Sequence, residues 1–172
     1  TEEFYFRYCG GKLQPVLDTL RYLVHHTNVW VEITTLLIPG LNDSESEIRA
    51  LSRWVRDELK TTVPLHFTAF FPAFKMLDRP PTPPQTLVRA RAIAREEGLA
   101  YVYTGNVRDL EGSTTYCPDC GTRLIERDGY VITRYALTPE GHCPACGREI
   151  EGRFARAPGH FGNRRIPIVL GA

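Results

Sequence analysis

Residues 29–38 read VWVEITTLLI, and Pro39-Gly40 stops the run. β-Branched side chains dominate it and its apolar character is nearly continuous. That is how a strand covered on both faces of a parallel sheet reads. The flanking stretches turn this strand into a fold. Upstream, Pro15 can sit in the first turn of a helix, where its missing N–H costs nothing. Val16, Leu17, Leu20, Leu23 and Val24 then recur at helical spacing. Downstream, Asn42, Asp43 and Ser44 offer helix N-caps. Glu45 and Glu47 suit the positive end of that helix, and Ile48, Leu51, Val55 and Leu59 form its buried stripe. Pro64 opens a second strand, LHFTAFF, closed by Pro72. After a proline-rich loop, Thr82-Pro83 can start a third helix lined by Leu87, Ala90, Ile93 and Ala94 and ended by Gly98. Leu99 to Tyr103 reads as a third strand. Strands alternating with helices predict an α/β domain with a parallel sheet and right-handed crossovers. Three such strands suit the back half of a (β/α) barrel or of an open doubly wound sheet.

The 172 residues fit one ordinary domain or a small domain plus an appendage. With 42% hydrophobic and 24% charged residues the chain is expected to fold and stay soluble. Its net charge of +1 creates no basic field that would point to nucleic acid. No apolar run approaches the roughly 20 residues that span a bilayer, and no signal peptide is evident, so a cytoplasmic location is expected. The chain begins with Thr1, and Met76 is its only methionine. It therefore reads as cut from something longer. A shift in composition near Asn106–Thr115 predicts an α/β part over 1–108, a linker over 109–116, a four-cysteine module over 117–150 and a tail over 151–172.

Two knuckles, Cys117-Pro-Asp-Cys120-Gly and Cys143-Pro-Ala-Cys146-Gly, carry four of the five cysteines. In a reducing compartment such pairs read as metal ligands rather than disulfides. Pro118 and Pro144 stiffen each turn. Gly121 and Gly147 let the following N–H groups point back at sulfur. Four thiolates make the closed set of a structural zinc site, and iron in a rubredoxin-like site would use the same knuckles. A thioredoxin-type dithiol opens a helix after a strand, whereas here a strand is expected to follow each knuckle. The 22 residues between Cys120 and Cys143 fit one hairpin, with Asp128-Gly129 as its turn. Cys9 stands apart and reads as a small hydrophobe.

Polar residues inside the strands are the second signal. Trp30, Glu32, Thr34 and Leu36 fall on one face of the first strand, and His66, Thr68 and Phe70 on one face of the next. A carboxylate in an apolar strand costs free energy unless paired. Polar groups on neighbouring strands that each end in a Pro-bounded loop suggest a polar interior opening at the carboxyl end.

The segments CGGKLQPVLDTLRYL, WVEITTLLIPGLND, PLHFTAFFPAFKMLDRPPTPPQTL, YVYTGNV and STTYCPDCG together resemble the radical SAM enzyme of the AmmeMemoRadiSam system. That group is related to the glycyl-radical activating enzymes such as pyruvate formate-lyase activase. The resemblance runs from Phe4 to the terminal IPIVL. It implies the C-terminal half of a partial (β/α)6 barrel followed by a small β zinc-ribbon-like module. It further implies S-adenosylmethionine and a [4Fe-4S] cluster as cofactors, an oxidoreductase chemistry begun by a 5′-deoxyadenosyl radical, and Memo-like and AMMECR-like partners. It leaves the substrate open, a protein among the candidates. Thr34 lies where the activases place a polar cofactor contact, and Phe71 and Phe74 where their chain passes the adenine, although those relatives have His at the position of Phe74. The chain contains no CxxxCxxC. The cluster loop is expected upstream of Thr1, and the chain alone should not cleave the cofactor. Two other readings stay open on the residues themselves. One is a zinc-ribbon module that binds nucleic acid or protein. The other is an unrelated zinc-containing α/β enzyme with His66 and Glu32 as acid and base.

Overall fold

A computed structural model describes residues 1–159. The chain divides into two compact units, Thr1–Gly112 and the residues from Ser113 onward. The sequence-predicted IPIVL strand lies outside the described residues.

In the first unit a short helix α1 (Glu2–Phe4) runs into a π-helical turn (Tyr5–Cys9). There follow α2 (Leu13–His26), β1 (Ile33–Leu37), α3 (Glu45–Glu58), β2 (Leu65–Ala69), α4 (Pro84–Glu96) and β3 (Val102–Gly105). The three strands form a parallel sheet in the order β1-β2-β3. One face carries the core. Leu37, Leu65, Phe67, Ala69 and Val102 are buried against Ile48 and Val55 of α3 and Leu87, Ala90, Ile93 and Ala94 of α4, with Leu20 and Val24 of α2 packed alongside. Across the helices, Glu97 receives Arg49 at 3.0 Å and Arg53 at 2.9 Å, and Arg56 at 3.5 Å.

Among the described residues the other face is only partly covered. Register aligns Thr34, His66 and Tyr103 in one row and Leu36, Thr68 and Gly105 in the next. The nearly continuous apolar run predicted cover on both faces of the first strand, yet Thr34 and Leu36 are exposed. That run also extends beyond the strand. Among the described residues, the paired part of the run is Ile33–Leu37, because the ladder begins where the Ile33 N–H meets the Pro64 carbonyl at 2.9 Å. The second strand likewise ends at Ala69, and the third runs Val102–Gly105 rather than 99–103.

Side chains finish the sheet at its carboxyl end. The next rung of a parallel ladder would join Phe70 N–H to Leu37 C=O. Instead the Thr82 hydroxyl stands between them, accepting from Phe70 N at 2.9 Å and donating to Leu37 O at 2.6 Å. Asn106, in the left-handed region at φ 59°, donates from its amide to Ala69 O at 3.2 Å. Asn42 donates to Leu36 O at 2.9 Å and accepts from Ile38 N at 2.7 Å. The expectation of Asn42 and Asp43 as helix caps is therefore corrected. Ser44 caps α3, accepting from Glu47 N at 3.3 Å, while Asp43 closes the loop by accepting from Gly40 N at 2.8 Å. Thr82 similarly serves the sheet, and Pro83 takes the N-cap position of α4.

Residues 109–116, read from sequence as a linker, contain a helical turn α5 (Leu110–Ser113) and a strand β4 (Thr115–Tyr116). The local reason is Asp109. Its carboxylate accepts from Gly112 N at 3.0 Å and from the Thr104 hydroxyl at 2.9 Å, so the stretch is pinned. In the second unit β4, β5 (Arg123–Asp128) and β6 (Val131–Tyr135) form an antiparallel sheet. The hairpin loop is the pair Gly129-Tyr130, with Gly129 at φ 60°. Leu124, Ile125, Leu137, Ile150, Cys117 and Cys143 are buried in this unit. Among the described residues no helix is long and apolar enough to cross a membrane.

Candidate functional site

The two knuckles are built alike. Gly121 N donates to Cys117 O at 2.9 Å and Gly147 N to Cys143 O at 2.9 Å, and both glycines take positive φ, 71° and 79°. Cys117 N then donates to Thr122 O at 2.9 Å and Cys143 N to Arg148 O at 2.8 Å. The first cysteine of each knuckle is buried and the second exposed. Arg148 reaches from one knuckle to Asp119 of the other at 3.3 Å and to Glu151 at 2.9 Å.

This brings the sulfurs of Cys117, Cys120, Cys143 and Cys146 within 4.8 Å of one another. Cys117 lies 3.5 Å from Cys146, and Cys120 3.6 Å from Cys143. A disulfide needs about 2.05 Å. Tetrahedral zinc at about 2.3 Å from each sulfur sets the sulfurs about 3.8 Å apart. The spacing matches a shared ion and excludes crosslinks, so the four thiols form a set that could hold one metal ion. Without a cation they disturb one another. The Thr122 hydroxyl, 3.2 Å away, and the Thr122 backbone hold Cys120 down at about 6. Burial pushes Cys117 up. At Cys146 the Arg148 backbone N–H pulls down, but burial and the neighbouring sulfurs outweigh it and push the thiol up to about 12. Packed thiolates repel, and a divalent ion relieves that repulsion.

The partly covered sheet face holds the second group. Glu32, just before β1, accepts from Trp30 Nε1 at 2.8 Å and pairs with His66 Nε2 at 2.9 Å. The His66 ring stacks on Tyr103 with centroids 4.9 Å apart. Thr34 is held next to His66 by register. Phe71 and Phe74, 58% and 85% exposed, lie beyond the carboxyl end of β2, and Phe74 has φ 50°. Cys9 is exposed rather than buried, because the π turn that carries it leaves it on the surface. The pairing of Glu32 with His66, and the parts of Trp30 and Tyr103 in it, could not be read from spacing alone. The one available signal was polar residues at matched positions on successive strands.

No family model matches the chain. It is 43% identical over 152 residues to an uncharacterized protein of Methanocaldococcus jannaschii, a match covering 87% of this chain and 45% of that protein. The chain thus spans less than half the length of that relative. Among solved structures, a radical SAM methyltransferase from Sphaerobacter thermophilus is similar over 70% of this chain and 32% of its own, at 23% identity and a TM-score of 0.46.

Proposed function

We propose that this chain is the carboxyl-terminal part of a radical SAM enzyme of the AmmeMemoRadiSam kind, carrying a structural metal ion on its second unit. The observation that carries the reading is the run of segments from CGGKLQPVLDTLRYL to STTYCPDCG in matching order. A parallel three-stranded sheet with one partly covered, polar face accords with it.

The residues of this chain do not furnish a cluster site. Cys9 has no cysteine at the required spacing, and the other four cysteines lie together as one tetrad. The [4Fe-4S] cluster is accordingly assigned to residues outside these 172. In the whole enzyme the cluster and S-adenosylmethionine would supply a 5′-deoxyadenosyl radical. Thr34 offers a hydroxyl to the cofactor from that face, and Phe71 and Phe74 offer ring or backbone contact. Cys117, Cys120, Cys143 and Cys146 hold zinc, with iron as the other occupant that four thiolates accept. Zinc there closes a unit of few buried residues and takes no part in the radical step. A cytoplasmic location and Memo-like and AMMECR-like partners go with this reading.

The test is metal analysis and EPR on anaerobically prepared protein that includes the preceding half-barrel. A four-iron signal, one zinc per chain and 5′-deoxyadenosine on reduction with S-adenosylmethionine are expected. The absence of both a cluster signal and 5′-deoxyadenosine would overturn the assignment.

A further inference from the structure

We propose that His66 and Glu32 form a proton-transfer dyad on the partly covered face of the sheet, with His66 Nδ1 exchanging a proton with a small, weakly acidic organic ligand. This does not rest on the radical SAM reading.

The carboxylate of Glu32 only accepts hydrogen bonds. Its Oε2 lies 2.9 Å from His66 Nε2, so the neutral imidazole carries its hydrogen on Nε2 and its lone pair on Nδ1. The Trp30 indole N–H, 2.8 Å from the other carboxylate oxygen, holds Glu32 in place. On the far side the Tyr103 ring, 4.9 Å away and tilted by 25°, fixes the plane of the imidazole. An oriented imidazole backed by a carboxylate is the arrangement that a general base requires. Neither group is sealed in the core, the side chains being 29% and 47% exposed. Among the described residues, the titratable groups placed against His66 are Glu32 from the segment before β1 and Tyr103 from β3, and its neighbour Thr34 is neutral.

The next row, about 7 Å along the strands, is Leu36, Thr68 and Gly105. Gly105 bears no side chain there, and a Cβ would come 2.8 Å from Thr68 Cγ2. With Leu36 41% exposed and the Thr68 methyl lying over Gly105, the row offers a partly apolar surface beside the base. In the step, the ligand's proton passes to Nδ1 and its bonding pair stays on the ligand. The imidazolium keeps its Nε2 hydrogen, donated to Glu32, whose charge balances it. Glu32 acts as a positioning residue.

The probe is 5-nitrobenzisoxazole with the 172-residue chain. A base takes its carbon-bound proton, the N–O bond breaks, a nitrile forms and the coloured 2-cyano-4-nitrophenolate leaves. The chain should exceed an equal concentration of free imidazole by roughly tenfold or more. H66Q should bring the rate to background. Glu32→Gln should slow it several-fold through kcat with KM little changed, since the imidazole loses the acceptor that orients it. A purely structural pair would shift stability without producing this split. Nitrogen-15 NMR of the unaltered chain should show the Nε2–H tautomer, and needs no variant to fold. A rate no greater than imidazole's, a rate indifferent to H66Q, or the Nδ1–H tautomer would each overturn the proposal.

Discussion

Replacing Thr82 by Val tests how the sheet is closed at its carboxyl end. Valine keeps the shape and removes the hydroxyl that links Phe70 N–H to Leu37 C=O, all within a side chain that is 4% exposed. With contacts of 2.9 and 2.6 Å to one hydroxyl and a near-tetrahedral angle there, the two backbone groups stand about 4.5 Å apart. They cannot bond directly unless the strands close by about 1.5 Å, which packed helices resist. Each buried backbone group left unpaired costs about 1–3 kcal/mol, and the added methyl returns about 0.8 kcal/mol. The net loss is about 3 kcal/mol, or roughly 10–15 °C in Tm for a unit of this size. Urea unfolding followed by tryptophan fluorescence is the assay, since Trp30 and Trp54 are the only tryptophans and both lie in the first unit. Thr34→Val, on the exposed face of β1, is the control and should stay within about 0.5 kcal/mol. A loss below about 1 kcal/mol for Thr82→Val would mean that the ladder heals itself and the bridging reasoning is wrong.

Glu97 is held down at about 2 by Arg53 and then Arg49. Its folded pKa lies below the ordinary unfolded value of about 4.3. Its contribution is therefore full above that value and lost as pH falls toward 2. Glu97→Gln should lower Tm at neutral pH and flatten the acid limb between these values in a pH series of melts, and an unchanged limb would count against the arginine cluster as its cause. Cys117→Ser should bring bound metal from one ion per chain toward none under a competing chelator and remove amide exchange protection from β5 and β6, while Cys9→Ser should leave both as they were. Retention of a full equivalent of metal by Cys117→Ser would remove that cysteine from the ligand set.

The elements that proved legible are those whose period repeats. The stripe of Ile48 and Val55, and that of Leu87, Ala90, Ile93 and Ala94, became the buried sides of α3 and α4. The knuckles were legible because their chemistry is local, two cysteines and a glycine within one turn. The hairpin followed from the β-prone runs around Asp128-Gly129, although Asp128 pairs with Val131 and the turn falls one residue later, on Gly129-Tyr130. What spacing could not decide is anything set by register. The run VWVEITTLLI is equally apolar whether one face or two is covered, so exposure of Leu36 needed the sheet itself. Glu32 and His66 are 34 residues apart and meet because Thr34 pairs with His66. Thr82 looked like a helix start because its hydroxyl suits that task, and the sheet had the stronger claim on it.

Asn42 has a consequence for whatever lies along the outer side of β1. Because Ile33 N bonds Pro64 O, the odd-numbered residues of β1 point toward β2 and the even-numbered ones point outward. Two outward groups, Leu36 C=O and Ile38 N–H, are both engaged by the Asn42 amide. The amide therefore works as an end-stop. A neighbouring strand can zip alongside the start of β1, but it must leave the ladder before Leu36. The point at which that neighbour turns away, and so the place its following loop begins, is dictated by a side chain that comes six residues after the carbonyl it guards.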